Sequence, residues 1–71
     1  MNKVNKVKIN TEIIKLDAFL KWAAIVSSGS EAKLYIQDEL VKVNNEICTQ
    51  RGKKLRVGDI VSFEESDFEI I

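Results

Sequence analysis

The sequence predicts an α+β domain: two helices packed on one small twisted, mostly antiparallel sheet, with the N- and C-terminal strands adjacent. Two segments place apolar residues at helical spacing, several others alternate with period two, and turn residues separate them. The two ends differ in charge. Lys3, Lys6 and Lys8 precede the first acid, whereas Glu64, Glu65, Asp67 and Glu69 follow the last base. Opposite charges on neighbouring strands are mildly favourable, so the ends are expected to pair.

The first strand is expected over Val4 to Ile9, where valine and isoleucine alternate with lysine and asparagine. Leu16 to Ile25 reads as a helix, because Leu16, Phe19, Leu20 and Ala23 fall at i, i+3, i+4 and i+7. Asp17, Lys21 and Ala24 take the opposite side, and Trp22 sits at the edge of the apolar stripe. Val26 to Gly29 breaks the helix. Ser28-Gly29-Ser30-Glu31 is a capping box, with Ser28 accepting from the Glu31 amide and Glu31 expected to reach back to the Ser28 amide. The second helix then runs to about Asp38 and is expected to bury Ala32, Tyr35, Ile36 and Leu40.

Val41-Lys42-Val43 is a short strand, Asn44-Asn45 a two-residue turn, and Glu46 to Thr49 the returning arm. Gln50 to Lys54 forms a basic loop around Gly52. Leu55 and Val57 lead to a turn at Gly58-Asp59, Ile60 to Phe63 is the next strand, and Phe68 to Ile71 favours extended structure. The expected order is β-α-α-β-β-β-β.

With 71 residues the chain is read as one domain, residues 1–71. Its one cysteine, Cys48, makes no internal disulfide, and with no histidine it assembles no zinc ligand set. The commonest general acid–base group is missing and no nucleophile–base pair is visible, so no enzyme and no cofactor are expected. No apolar run approaches the roughly 20 residues of a membrane span, and Met1 to Asn10 lacks the apolar stretch of a signal peptide. A cytoplasmic location without membrane contact is expected.

Formal net charge is zero, from 11 bases and 11 acids. Acids crowd the C-terminal end, which leaves the body slightly basic. Two readings of the second helix's start stay open. Ser27, Ser28, Gly29 and Ser30, with Lys33 one turn further in, could seat a phosphate on free amides and hydroxyls, or could form an ordinary helix start. Lys15, Lys42, Arg51, Lys53 and Lys54 are either phosphate contacts or a solvated surface. Trp22 and Tyr35 could stack on unpaired bases, but an aromatic at helical spacing is more often core, so Tyr35 is read as core and Trp22 as its rim, with Cys48 a packing residue. Leu34 lies off the buried stripe and could mark a protein contact.

Lys15-Leu16-Asp17-Ala18-Phe19-Leu20-Lys21, then Ser27-Ser28-Gly29-Ser30-Glu31-Ala32-Lys33, then Val41-Lys42-Val43-Asn44-Asn45 together resemble the S-four RNA-binding domain, named after small-subunit ribosomal protein four. Lys54-Leu55-Arg56-Val57-Gly58-Asp59-Ile60-Val61 is similar to the end of the same pattern. The family-like core spans about residues 13–63, and the chain looks closest to the small stand-alone YaaA-type members. The resemblance implies a two-helix RNA-binding motif of the αL type followed by a hairpin, and binding without catalysis. Matched position by position, it implies RNA contact by Lys15, Ser28, Lys33, Lys42 and the turn residue Asn44. Gly29 and Ser30 stand where many members carry arginine, and Glu39 and Asn45 where many carry glycine. Losing those arginines removes bidentate phosphate clamps and implies either modest affinity or a ribosomal surface that includes a ribosomal or other protein partner.

The expected function is therefore binding of structured RNA, ribosomal RNA or a ribosome-associated particle, through the two helices and the hairpin. Lys33→Glu and Lys42→Glu are expected to weaken it. The alternative is a protein–protein adaptor that uses Leu34, Trp22 and the acidic tail.

Overall fold

The computed structural model describes residues 3–71. Five strands form the main sheet: β1 (Lys3–Val7), β7 (Ser66–Ile70), β6 (Ile60–Phe63), β3 (Val41–Val43) and β4 (Glu46–Ile47), in that spatial order. A separate two-stranded ribbon pairs β2 (Ile14–Lys15) with β5 (Lys54–Leu55). The two helices are α1 (Leu16–Trp22) and α2 (Gly29–Gln37). The expected architecture holds, with β2 and the ribbon added to the expected order.

The period-two pattern sorts the sheet into an inner and an outer face. Val41 and Val43, Val61 and Phe63, and Ile70 are buried and meet Leu16, Phe19 and Leu20 of α1 and Ala32 and Ile36 of α2. Leu55 of the ribbon joins the same cluster, as do Ile9 and Val26. Cys48 packs half-buried at its margin, as expected of a packing residue. Tyr35 is half-buried rather than buried, and its ring lies 5.0 Å from that of Phe63, tilted by 45°.

The two ends do pair, but in parallel. Lys6 lies opposite Glu69, the one opposite-charge pair in that register, while Val7 meets Ile70 and Asn5 meets Phe68. The Ile71 amide continues the ladder to the Val7 carbonyl at 2.9 Å. A parallel pair needs a long connection, and here nearly the whole chain supplies it.

α1 ends at Trp22, three residues short of the expected Ile25. Ala24 adopts φ 59°, and the Ile25 amide bonds back to the Leu20 carbonyl at 2.9 Å. This reversal turns Val26 into the core, where a continued helix would have carried it past the sheet. α2 ends in the same way. Glu39 has φ 61°, and the Leu40 amide bonds to the Tyr35 carbonyl at 3.1 Å. The chain turn sends Val41 inward and leaves Leu40 50% exposed, so Leu40 is not part of α2's buried face.

Glu39 and Asn45, which stand where many members of the resembled family carry glycine, both have positive φ, 61° and 72°. Asparagine tolerates this conformation, whereas glutamate is strained in it. Glu39→Gly is expected to stabilise the domain by about 1 kcal/mol, raising Tm by about 4–8 °C in a thermal melt. An unchanged or lower Tm would show that the strain is relieved elsewhere. The β6–β7 hairpin places Glu64 and Glu65 in the same region at φ 49° and 65°. Asn44 and Asn45 do so between β3 and β4, as the two-residue turn requires. Only Glu46–Ile47 of the expected arm to Thr49 stays in the sheet, followed by one further bond from the Cys48 amide to the Val41 carbonyl. No helix among the described residues is long and apolar enough to cross a membrane.

Candidate nucleic-acid interface

The ribbon gathers four of the expected basic residues at one end of α1. Lys15 is the N-cap of α1 and lies directly opposite Lys54. The Leu16 amide donates to the Lys53 carbonyl at 2.9 Å, and the Asp17 amide to the Arg51 carbonyl at 3.1 Å. The loop carrying Arg51, Lys53 and Lys54 is thereby tied to α1's first turn by its own backbone. All four cationic side chains are exposed. Asp17 is the half-buried acid at this end, and its Oδ1 accepts from the Ala18 amide at 2.7 Å. The first three amides of α1 are thus occupied within the chain, so cationic side chains, not free amides, are what this end offers an anion.

Lys15 facing Lys54 is unfavourable in isolation. Residues opposite each other on antiparallel strands have Cβ atoms about 4.5–5.5 Å apart, and like charges there are destabilising. An anion held between them would remove that repulsion.

The second helix's start is a different kind of place. Ser28 Oγ accepts from the Glu31 amide at 3.2 Å, as expected. The reciprocal bond is shifted by one residue: Glu31 Oε1 accepts from the Ser27 amide at 3.0 Å, not from that of Ser28, and from the Ser27 hydroxyl at 3.4 Å. Ser27, Ser28, Gly29 and Ser30 are all exposed, but the Glu31 carboxylate sits among them. A Cβ at Gly29 would meet nothing within 4 Å, so the bare backbone is not required by crowding. Lys33 is exposed one turn further along α2, beside Leu34, which is 59% exposed.

Lys42 and Asn44 have other surroundings. Lys42 points to the outer sheet face, in a shallow depression it shares with Glu64, Glu65 and Asp67. Asn44 is exposed, yet both ends of its amide are engaged. Its Nδ2 donates to Asp59 Oδ1 at 3.2 Å, and its Oδ1 accepts from the Ile60 amide at 3.0 Å. Asp59 Oδ2 also accepts from the Arg56 amide at 2.9 Å. Asn44 therefore fixes the β3–β4 turn against β6. Lys53 borders the groove along this turn and so connects it to the ribbon.

Sequence reasoning missed the ribbon itself. The signal was weak: Ile14-Lys15 and Lys54-Leu55 are two-residue strands, too short for periodicity to register.

A pair of helices and a hairpin on one sheet, with basic residues drawn to the start of the first helix, is the architecture expected of an S-four domain. The family model described as the S4 domain matches residues 7–71, and the chain belongs to that family. The match is wider than the core of 13–63 read from the motifs. Among curated proteins the chain is similar to the "Probable ribosome maturation protein RlbA" of Bacillus subtilis (strain 168), with 45% identity over 60 residues, 84% of each chain.

Proposed function

We propose that residues 1–71 act as one non-catalytic domain that binds structured RNA, ribosomal RNA or a ribosome-associated particle, in the cytoplasm. The observation that carries this reading is the Lys15–Lys54 like-charge pair of the ribbon, with the backbone of Arg51 and Lys53 anchored beside it. A phosphate between the two ammonium groups converts a destabilising arrangement into a binding one. Family membership and the relative named for ribosome maturation support the same partner class. Lys33 and the serines of the α2 start extend the surface along the second helix, while Lys42 contributes less because it shares its depression with Glu64, Glu65 and Asp67. The test is crosslinking in cells followed by sequencing of the attached RNA, with Lys15→Glu/Lys54→Glu beside wild type. Enrichment of a ribosomal RNA region in wild type, lost in the variant, is the expected result. An unenriched profile, alike in both, would reject it.

Glu31 sets the affinity of the second helix's start. Its carboxylate occupies the positive end of the α2 dipole, where a phosphate would otherwise sit. Glu31→Gln is expected to tighten RNA binding about two- to fivefold, since such charges contribute about 0.3–1 kcal/mol. Tm should fall slightly. A fall in Tm with unchanged affinity would show that this end is a helix cap only.

A second reading, the protein adaptor, is favoured by the exposure of Leu34. It expects Leu34→Asp to abolish a protein contact while RNA binding is untouched.

A further inference from the structure

We infer that the exposed ring of Trp22 is a stacking platform for an unpaired base of the bound RNA. The inference rests on the RNA-binding reading above and names the kind of RNA. Trp22 closes α1 and is 51% exposed. Its Nε1–H donates to the Lys8 carbonyl at 2.8 Å. Indole has a single donor and no acceptor. With that donor engaged, the ring is held in place and only its π surface remains for a ligand.

The neighbours of the ring define the ligand. Ile14, Ala18 and Lys21 join Trp22 around a shallow, mainly apolar hollow. Ile14 belongs to β2, so the hollow borders the ribbon, and Lys21 supplies the positive charge at its rim. A nucleotide matches this arrangement at both ends. Its base is a flat apolar face for the indole, Ala18 and Ile14, and its phosphate is an anion for Lys21 on the rim of the hollow. An apolar protein side chain would fill the hollow but leave the Lys21 ammonium without a partner. Every base has a π face, so the platform tolerates any sequence and instead demands an unstacked nucleotide: a bulge, a loop or a strand end. An uninterrupted duplex presents no free base to it.

Trp22 is the chain's single tryptophan, so its fluorescence reports this position alone. Wild type would be titrated with deproteinised ribosomal RNA, with a short hairpin carrying one bulged adenosine, and with the same hairpin lacking the bulge. Quenching by ribosomal RNA and tighter binding of the bulged hairpin are expected. Trp22→Ala is expected to lose roughly 5- to 150-fold in affinity for the bulged hairpin, the span of about 1–3 kcal/mol per stacked base. Affinity for the paired hairpin should change little. Trp22→Phe keeps a ring and should retain most of the binding. Wild-type quenching needs no variant to fold, and circular dichroism checks the two that are made.

RNA binding with unchanged emission, and equal affinities for wild type and Trp22→Ala, overturns the platform and leaves the RNA-binding reading standing. Absence of any binding to ribosomal RNA removes both. Loss of association with ribosomal particles in Trp22→Ala, with its naked-RNA affinity equal to wild type and with wild-type emission unchanged by RNA, would assign the hollow to a protein and overturn the proposal.

Discussion

Lys54→Glu is expected to make the domain more stable and a poorer RNA binder at once. In the folded chain Lys54 faces Lys15 across a two-residue ribbon. Replacing one lysine of that pair by glutamate turns repulsion into attraction, worth about 0.2–1 kcal/mol for a cross-strand pair. Tm should rise by up to about 4–8 °C, the shift that about 1 kcal/mol produces in a domain of this size. RNA affinity should fall roughly tenfold or more. A charge-assisted hydrogen bond to a phosphate contributes about 1.5–3 kcal/mol, and about 1.4 kcal/mol is a factor of ten. The slope of log affinity against log salt should become shallower by about 0.7–0.9, as one phosphate contact is lost. Thermal melts and filter binding over a salt series measure the three quantities. The double variant Lys15→Glu/Lys54→Glu restores a like-charge pair and should lose the gain in Tm while binding RNA still less well. Lys42→Glu is the comparison on the outer sheet face, where Glu64, Glu65 and Asp67 line the same depression as the lysine, and its effect on affinity should be smaller. A Lys54→Glu protein that binds RNA like wild type would remove the ribbon from the interface.

Phe19→Ala is expected to leave the chain largely unfolded at 25 °C. Phe19 is fully buried at the centre of the cluster that joins α1 to α2 and the inner sheet face. Truncating a buried phenylalanine costs about 3–5 kcal/mol, counting lost burial and the cavity left behind. A single core in a domain this small supplies about 3–5 kcal/mol in total. The two figures are equal, so the folded state should no longer be the majority species. Far-ultraviolet circular dichroism should show no cooperative melt. Phe19→Leu, which keeps most of the volume, should cost less and retain a transition. The effect reaches function through geometry, because α1 carries Lys15 at one end and Trp22 at the other. A Phe19→Ala protein that melted within a few degrees of wild type would contradict the packing described above.

The features legible in the sequence are those decided within a few residues. Ser28 caps α2 because its hydroxyl and the Glu31 amide are three residues apart in any helix starting there. Asn44-Asn45 turns because the two side chains tolerate positive φ in place. The apolar faces of α1 and of β3 and β6 follow from periods of 3.6 and 2, which need no partner to be read. The family resemblance, built from the same local motifs, was legible for the same reason. The basic residues of the site were visible as well, as types at positions.

Only the tertiary structure decided which of them meet. Lys15 and Lys54 are far apart in the chain and become neighbours through one short backbone pairing, whose energy no local pattern encodes. Lys42 is as basic as Lys54, but strand alternation and the β6–β7 turn place it among acids. Leu40 fits α2's apolar stripe by spacing, yet the left-handed turn at Glu39 rotates it outward because Val41 must enter the core. Glu31 reaches Ser27 rather than Ser28 because the chain entering α2 is set by the fold before it. The parallel pairing of β1 with β7 is of the same kind: composition suggested that the ends meet, but their direction depends on how everything between them packs. Local chemistry determined the elements of this protein, and the burial of one shared core determined which charges stand side by side.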